Sequence, residues 1–238
     1  MTTSVTTDNP VRSDLPTRVV RPQQAQGRRW PLAGIGAAVA GIGTIVTSSM
    51  VNGVYDQDLV GQPDRIAEKI ASQTGAMFAF HSITVIGAML MIVFAAGLFG
   101  RLRSVVGTST AAVVALAGWI GTAVVMMLGS GLDTEFMMSM AADDKSVDSY
   151  NAALYNHWIG TIPWVWGLAG LSGLALFAIA RRGGVPRWIG VVGLVLGGLT
   201  TLLGVSPLEY MAAVTGVLML LVTAIGFTVG DRAFRGTR

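Results

Sequence analysis

Six long apolar runs, separated by short polar segments, account for most of the chain after residue 29. A bilayer core is about 30 Å thick, so a helix that crosses it needs about 20 predominantly apolar residues. Strands of a membrane barrel would instead alternate in polarity over about 10 residues. The pattern therefore predicts an all-α, polytopic transmembrane helical bundle with six spans. These spans are expected at about residues 30–51, 75–100, 105–132, 158–180, 185–205 and 207–229.

The two ends of the chain differ from the predicted transmembrane domain of residues 30–230. Residues 1–29 are rich in Thr, Pro, Gln and Arg and have no apolar period, which predicts a disordered cytoplasmic tail. Residues 231–238 predict a short cytoplasmic tail. Arg28 and Arg29 precede the first apolar run as in a twin-arginine export signal, but no convincing cleavage pattern follows. We therefore expect the first span to be retained.

The positions of the basic residues predict the orientation of the bundle. Thirteen of the 16 Lys and Arg residues fall in the segments on one side, and only Arg65, Lys69 and Lys145 fall on the other. Cytoplasmic loops carry the excess of Lys and Arg, so both termini are expected in the cytoplasm. Trp30 and Trp188 mark the inner interface of this arrangement, and all four tyrosines fall on the outer side.

Composition agrees with a membrane protein and excludes several other classes. Only 12% of the residues are charged and 52% are hydrophobic, with a mean hydropathy of +0.62. The net charge of +3 comes from arginines spread over separate short segments, so nucleic-acid binding is not expected. The absence of cysteine excludes disulfides and thiolate metal sites.

The choice of residue types favours a bacterial origin. The chain has 14 Arg against two Lys and many Ala, Gly and Val residues, which is typical of proteins from a GC-rich bacterial genome. We therefore expect a bacterial plasma (inner) membrane.

The two long outer loops predict short helices. Residues 63–71 begin with Pro63 and carry Ile66 and Ile70 four residues apart, which predicts an amphipathic helix lying on the membrane. The second loop, residues 133–157, is acidic, and residues 146–154 are a candidate short helix.

Small residues at four-residue spacing predict close helix packing. One stripe in the first span contains Ala33, Ala37 and Gly41, and GxxxG pairs occur at Gly193/Gly197 and Gly226/Gly230. Such faces let helix backbones approach each other in a membrane. We expect packing inside the bundle, with a homodimer seam as the alternative.

A few polar and aromatic residues near the outer face are the candidate binding residues. His81 lies inside the second span, where an ionisable group is costly and tends to face the bundle or a water-filled cavity. His157 precedes the fourth span, and Pro163, Trp164 and Trp166 follow within it. Pro163 predicts a kink. Together these five residues predict a small outward-facing pocket, although neutral packing roles explain each histidine as well.

Metal binding is the weaker interpretation of the same region. Thioether and imidazole groups suit Cu(I), which makes Met137, Met138 and Met140 candidate ligands with His81 and His157. Two histidines on different helices also suit haem. Because no further fixed ligand is present, we predict no metal and no cofactor. We interpret the methionines as flexible side chains that fill the packing of the loop.

Glu209 has a local structural interpretation. Ser206-Pro207-Leu208-Glu209 has the spacing of a capping box with proline in the first turn. The sequence therefore predicts that Ser206 caps the sixth span and that Glu209 returns to the Ser206 amide.

The turn between the fourth and fifth spans carries a family resemblance. It reads Gly183-Gly184-Val185-Pro186-Arg187-Trp188-Ile189-Gly190, after a Gly-rich fourth span with a polar entry. With the amphipathic segment at residues 63–71, it resembles an uncharacterised family of bacterial six-helix integral membrane proteins, a domain-of-unknown-function family. That family has a Pro-Arg-Trp-Leu-Gly pattern at this turn, and this chain has Ile189 at the fourth position. The resemblance implies an inner-membrane location and transfers no catalytic residue.

Three classes of function stay open. The first is a non-enzymatic protein with a structural, accessory or regulatory role; the second is a small-molecule or ion permease with an outward-facing pocket. The third is a metal- or haem-binding redox protein. No Walker loop, dinucleotide fingerprint or HExxH motif is present, so an enzyme is not favoured. The expected partners are membrane lipids, with a homo-oligomer or other membrane proteins as further possibilities.

Overall fold

The computed structural model describes residues 29–142 and 148–231 as helices joined by short turns. The α-helices are α1 (Trp30–Met50), α2 (Pro63–Ala71), α3 (Thr74–Val106), α4 (Thr110–Ala141), α5 (Ser149–Thr161), α6 (Gly167–Ala180), α7 (Arg187–Val205) and α8 (Ala212–Val229). Single 3-10 turns occur at Gly53–Tyr55, Gln57–Leu59, Ile162–Trp164 and Glu209–Met211. No strand occurs in the described ranges, which confirms the all-α prediction. The predictions for the two tails, at residues 1–28 and 232–238, lie outside those ranges.

Five of the helices in the described part of the chain are long and apolar enough to cross a membrane. They are α1, α3, α4, α7, and α8 together with the turn before it (Glu209–Val229). The sixth apolar helix, α6, has only 14 residues. At 1.5 Å per residue it is about 21 Å long, which is shorter than a bilayer core of about 30 Å. Six complete crossings therefore stay a prediction.

The fourth predicted span, residues 158–180, is not one helix. α5 ends at Thr161, a 3-10 turn follows to Trp164, and α6 begins only at Gly167. Proline has no amide hydrogen to donate, and it disfavours helical geometry in the residue before it. Pro163 therefore lies at a complete interruption, which is a larger effect than the predicted kink.

The apolar helices pack as a closed ring. Each contacts the next in the order α1, α3, α4, α6, α7 and α8, and α8 returns to α1. Aromatic side chains fill the interior: the ring centroid of Trp30 lies 5.5 Å from that of Phe94 and 5.3 Å from that of Phe227. Phe94 meets Trp119 edge-on at 5.8 Å. The interior of the bundle is thus a packed core.

Glycine allows the closest helix contact, which lies between α6 and α7. A Cβ at Gly193 would lie 2.4 Å from the Gly173 carbonyl oxygen, and one at Gly197 would lie 2.8 Å from the Gly173 Cα. Gly226 on α8 and Gly230 directly after α8 lie against the Trp188 ring. The prediction that these pairs pack inside the bundle is confirmed.

The α1 stripe has the same role. Ala37 is buried, and a Cβ at Gly41 would lie 2.8 Å from the Val217 side chain on α8. The stripe therefore packs inside the ring and supplies no evidence for a dimer seam.

Hydroxyl groups also join neighbouring helices of the ring. Thr44 on α1 and Thr84 on α3 share a hydrogen bond of 3.0 Å between their Oγ1 atoms. Ser172 on α6 donates to the Ala115 carbonyl on α4 at 2.8 Å. Thr200 and Thr215 join α7 to α8 at 2.7 Å. Such bonds stabilise helix association where the surroundings are apolar.

The outward surface of the ring is apolar along its length. Large aliphatic residues are exposed on every long helix, including Val46, Val93, Leu128, Leu202 and Leu218. Soluble monomers rarely expose contiguous apolar surface on this scale. The surface is therefore compatible with contact with lipid.

The two ends of the bundle carry opposite charge. Six of the eight described Lys and Arg residues lie at one end, which we call the inner end: Arg29, Arg101, Arg103, Arg181, Arg182 and Arg187. Eight of the nine described acidic residues lie at the other, the outer end: Asp56, Asp58, Asp64, Glu68, Asp133, Glu135, Asp148 and Glu209. The bundle therefore has the charge asymmetry that the sequence predicts.

The exception among the acidic residues is Asp231, which forms a buried ion pair at the inner end. Arg101 Nε donates to Asp231 Oδ2 at 2.8 Å, and Arg101 Nη2 donates to Oδ1 at 3.1 Å. Arg101 is only 8% exposed. The pair ties the end of α3 to the end of α8, across 130 residues of sequence.

The outer end carries a cap formed by residues 51–73 and α5. α2 has the predicted bounds, but its apolar face does not lie on the membrane: Ile70 is fully buried and Ile66 packs beside it in a cluster with Tyr155. Asn156 on α5 fixes the start of the cap, because its side chain donates to the Val51 carbonyl at 2.7 Å and accepts from the Val54 amide at 2.9 Å.

Two boundary predictions at the outer end differ from the structure. α4 continues to Ala141 instead of ending near residue 132, because Phe136 and Met137 pack into the cap. The helix predicted at residues 146–154 is the start of the longer α5, and residues 146 and 147 lie outside the described ranges.

The capping box predicted at Glu209 is wrong. The Ser206 amide donates to the Leu202 and Leu203 carbonyls, which ends α7. The Ser206 hydroxyl accepts only from the Leu208 amide, at 3.1 Å, and Glu209 starts a 3-10 turn with no side-chain cap. Ser206 therefore stabilises a turn, and α8 begins six residues after it, at Ala212.

Candidate functional site at the outer end

The predicted pocket residues lie in different surroundings. Trp166 is buried between α1 and α8, with its ring 2.7 Å from the position of a Cβ at Gly216. Trp164 is half-buried and packs on the core of the bundle. His157 is exposed and meets the edge of the Tyr55 ring at 6.1 Å. Pro163 lies in the 3-10 turn between α5 and α6.

His81 joins α3 to α4. Its Nδ1 lies 2.9 Å from the Ser130 carbonyl oxygen. A carbonyl oxygen only accepts, so Nδ1 carries the hydrogen and Nε2 is the position open to other chemistry. The contacts of His81 and His157 involve different elements, and no described contact joins the two rings.

Asp133 and Tyr155 lie at the same end of the bundle as this bond, and we call these two residues, with His81 and Ser130, the Asp133 cluster. Asp133 lies on α4 one turn after Ser130 and is 2% exposed. Tyr155 on α5 is 1% exposed and stacks on Phe136, with ring centroids 5.0 Å apart. The Ser130 and Tyr155 hydroxyl oxygens are buried without a hydrogen-bond partner among the described residues.

The electrostatics of the cluster are unusual for a buried site. Within the described ranges, no Lys, Arg or His lies within ion-pair distance of Asp133. Burial raises the pKa of the Tyr155 phenol, and the negative charge of Asp133 raises it further. Tyr155 is therefore a neutral hydroxyl beside a carboxyl group. Burial of an ionisable group without a charged partner is costly, and this makes Asp133 a candidate functional residue.

The helical spacing of the sequence predicts the burial of Asp133, although the apolar pattern alone does not. The carboxyl follows the predicted end of the third span, where it is expected in a solvated loop. However, residues Met126, Ser130, Asp133 and Met137 follow one another at helical spacing, and all four are buried. The period of the preceding helix continues through the acidic residue.

A separate cavity of about 400 Å³ opens on the surface of the cap. Its lining includes Asn52, Tyr55, Asp56, Asp58 and Lys69, and none of the five predicted pocket residues. The Lys69 ammonium donates to Asp56 at 2.8 Å and lowers the pKa of that carboxyl. The pair is partly exposed, so it contributes little to stability.

The three methionines at the outer end differ in their exposure to solvent. Met137 is buried in the cap, Met140 packs against the same cluster, and Met138 is exposed. No group of three His, Cys, Asp or Glu residues suited to a metal ion occurs in the described part of the chain. Met137 and Met140 thus serve packing of the cap.

The chain matches no protein-family model, no curated protein and no solved structure.

Proposed function

We propose that the chain is a six-span protein of a bacterial plasma membrane with both termini in the cytoplasm. The apolar belt around the ring and the basic inner end support this topology. α6 is the shortest crossing, and the turn before it supplies the remaining depth toward the outer face. The proposal agrees with the resemblance to six-helix membrane proteins, which implies the same location.

We propose further that its role is non-enzymatic, accessory or regulatory, and that it binds a small cation, Na⁺ or a proton, at the Asp133 cluster. The observation that carries this proposal is the burial of an unpaired carboxyl beside two unpartnered hydroxyls. Oxygen ligands and one negative charge suit a hard monovalent cation or a proton.

Binding at this cluster would connect the cap to the bundle. His81 belongs to α3, Asp133 to α4 and Tyr155 to α5. α5 runs through the break at Pro163 into α6, so a change at Tyr155 reaches a membrane helix directly. A bound cation would therefore order the cap relative to three helices. That is the physical basis for a regulatory role.

Asp133→Asn is expected to abolish the response of the protein to small cations. The wild type in detergent should gain thermal stability as Na⁺ replaces choline, or as the pH falls from 8 to 5, because a ligand that binds the folded state stabilises it. Asp133→Asn should lose the response that the wild type gives, and Glu135→Gln, an exposed change on the same helix, should keep it. Thermal unfolding followed by circular dichroism measures both. A wild type that responds to neither cation, or an unchanged response in Asp133→Asn, rejects the proposal.

A permease is the second candidate, and the interruption between α5 and α6 favours it. Transporters often form their sites from discontinuous helices near buried ionisable groups. Aromatic side chains fill the interior of the ring of helices, and this favours the accessory role over transport. Vesicles containing the purified chain decide between them: cation-dependent uptake lost in Asp133→Asn favours the permease. A redox role has no cluster of ligands in the described residues to support it.

A further inference from the structure

The inner end contains a cavity that the proposed function does not use. It has a volume of about 340 Å³ and lies between the ends of α3 and α8 and the turn that joins α6 to α7. Arg101 and Asp231 form one part of its wall, and Gly183, Gly184, Pro186 and Trp188 form the rest with their neighbours. The wall therefore combines a buried charge pair with an apolar and aromatic rim.

The guanidinium of Arg101 keeps unused donor capacity. Asp231 accepts from Nε and Nη2, while Nη1 is buried without a partner among the described residues. Planar guanidinium groups bind carboxylate and phosphate oxygens through several N–H groups at once. A buried charged donor without an acceptor is costly, so an anion at this wall would be stabilising.

The surroundings of the cavity also favour an anion. Asp231 is the only acidic residue of the described ranges at this end, and Arg101 neutralises it. Arg103, Arg181, Arg182 and Arg187 are exposed nearby. The field at the cavity is therefore positive, which attracts anions toward it.

The rim indicates which kind of anion fits. Trp188 is 43% exposed and rests on Gly226 and Gly230, the arrangement of an aromatic ring at a membrane interface. Gly183 has a φ of 76°, which lets the chain turn tightly and keeps this part of the rim free of side chains. Basic pockets between membrane helices on the cytoplasmic side suit phospholipid headgroups.

We propose that the inner cavity binds the phosphodiester of an anionic phospholipid, with the Arg101 guanidinium as the charged anchor. The apolar rim of Pro186 and Trp188 contacts the glycerol and the start of the acyl chains. Lipid binding at this cavity depends on Arg101 and is independent of the Asp133 cluster.

The test compares phosphatidylglycerol, phosphatidylcholine and glycerol 3-phosphate as ligands of the full chain in detergent. Native mass spectrometry counts bound lipid, and thermal unfolding gives the apparent affinity. Phosphatidylglycerol should bind at one site and raise the melting temperature, phosphatidylcholine should bind at least tenfold more weakly, and glycerol 3-phosphate should have no effect at matched concentration.

Two variants separate a specific site from general attraction. Arg101→Met with Asp231→Leu removes the guanidinium and keeps the net charge, and it should weaken phosphatidylglycerol binding at least tenfold. Arg65→Gln lowers the net charge by the removal of an exposed side chain at the outer end, and it should keep the binding. Retained binding in the double variant overturns the proposal. An equal response to glycerol 3-phosphate also overturns it, because the ligand is then a soluble phosphate ester.

Discussion

Asp231→Leu alone is expected to destabilise the folded chain by about 3–5 kcal/mol, because it leaves the buried Arg101 charge without its partner. The carboxylate accepts two hydrogen bonds from the guanidinium, at 2.8 Å and 3.1 Å. Arg101 is at the inner end of α3 and is 8% exposed, so water replaces the lost partner poorly. Unfolding of the detergent-solubilised chain by titration with SDS measures the change.

The double variant Arg101→Met, Asp231→Leu is expected to recover most of that loss. Replacing a buried ion pair by apolar side chains of similar size is often neutral or stabilising, because neither charge has to lose its hydration. Asp58→Asn, an exposed acid at the outer end, serves as the control and should change stability by less than about 0.5 kcal/mol. If Asp231→Leu is as harmless as the control, the pair does not join α3 to α8 as described.

Gly193→Ala is expected to destabilise the folded chain by about 1–3 kcal/mol, the typical cost of overpacking a core. The added methyl would lie 2.4 Å from the Gly173 carbonyl oxygen and 3.1 Å from its carbon. Both atoms are backbone, so neither can rotate away, and α6 and α7 would have to separate. The loss should appear as a lower SDS midpoint and as a lower melting temperature.

Gly198→Ala is the matched control for this substitution. Gly198 lies on the same helix, but its nearest neighbour to a new Cβ is the end of the Leu174 side chain at 3.9 Å. Alanine has the higher helix propensity, so this variant should be neutral or more stable by up to about 1 kcal/mol. Equal effects of the two substitutions would contradict the close approach of α6 and α7.

Much of the fold follows from patterns that lie close together in the sequence. The bounds of α2 agree with the prediction because Pro63 and the Ile66/Ile70 pair are local signals. The break in the fourth span lies at Pro163, where the missing amide acts within one helical turn. The GxxxG pairs pack internally, since a chain that crosses several times buries its small faces within itself.

The candidate sites were harder to predict because they depend on residues distant in sequence. Arg101 and Asp231 are 130 residues apart, and each by itself looks like a charge that ends a span. Tyr155 lies near Asp133 only because α5 folds back over the end of α4. The apolar pattern alone also predicted too early an end for α4, at about residue 132. The reason is that an acidic residue after an apolar run indicates the start of a loop.

We propose that six crossings leave both termini and the basic end in the cytoplasm. The native chain has no cysteine, so single cysteines report their location without interference. Ser72→Cys and Asn151→Cys mark the outer end, while Thr108→Cys and Arg182→Cys mark the inner end; all four positions are exposed. Asn151 and Arg182 also flank the short helix α6.

Labelling intact cells with a membrane-impermeant maleimide tests this claim directly. We expect reaction at Ser72→Cys and Asn151→Cys in intact cells, and at Thr108→Cys and Arg182→Cys only after the membrane is opened. Labelling of Thr108→Cys from outside would contradict the orientation. Labelling of Asn151→Cys and Arg182→Cys from the same side would contradict the crossing by α6.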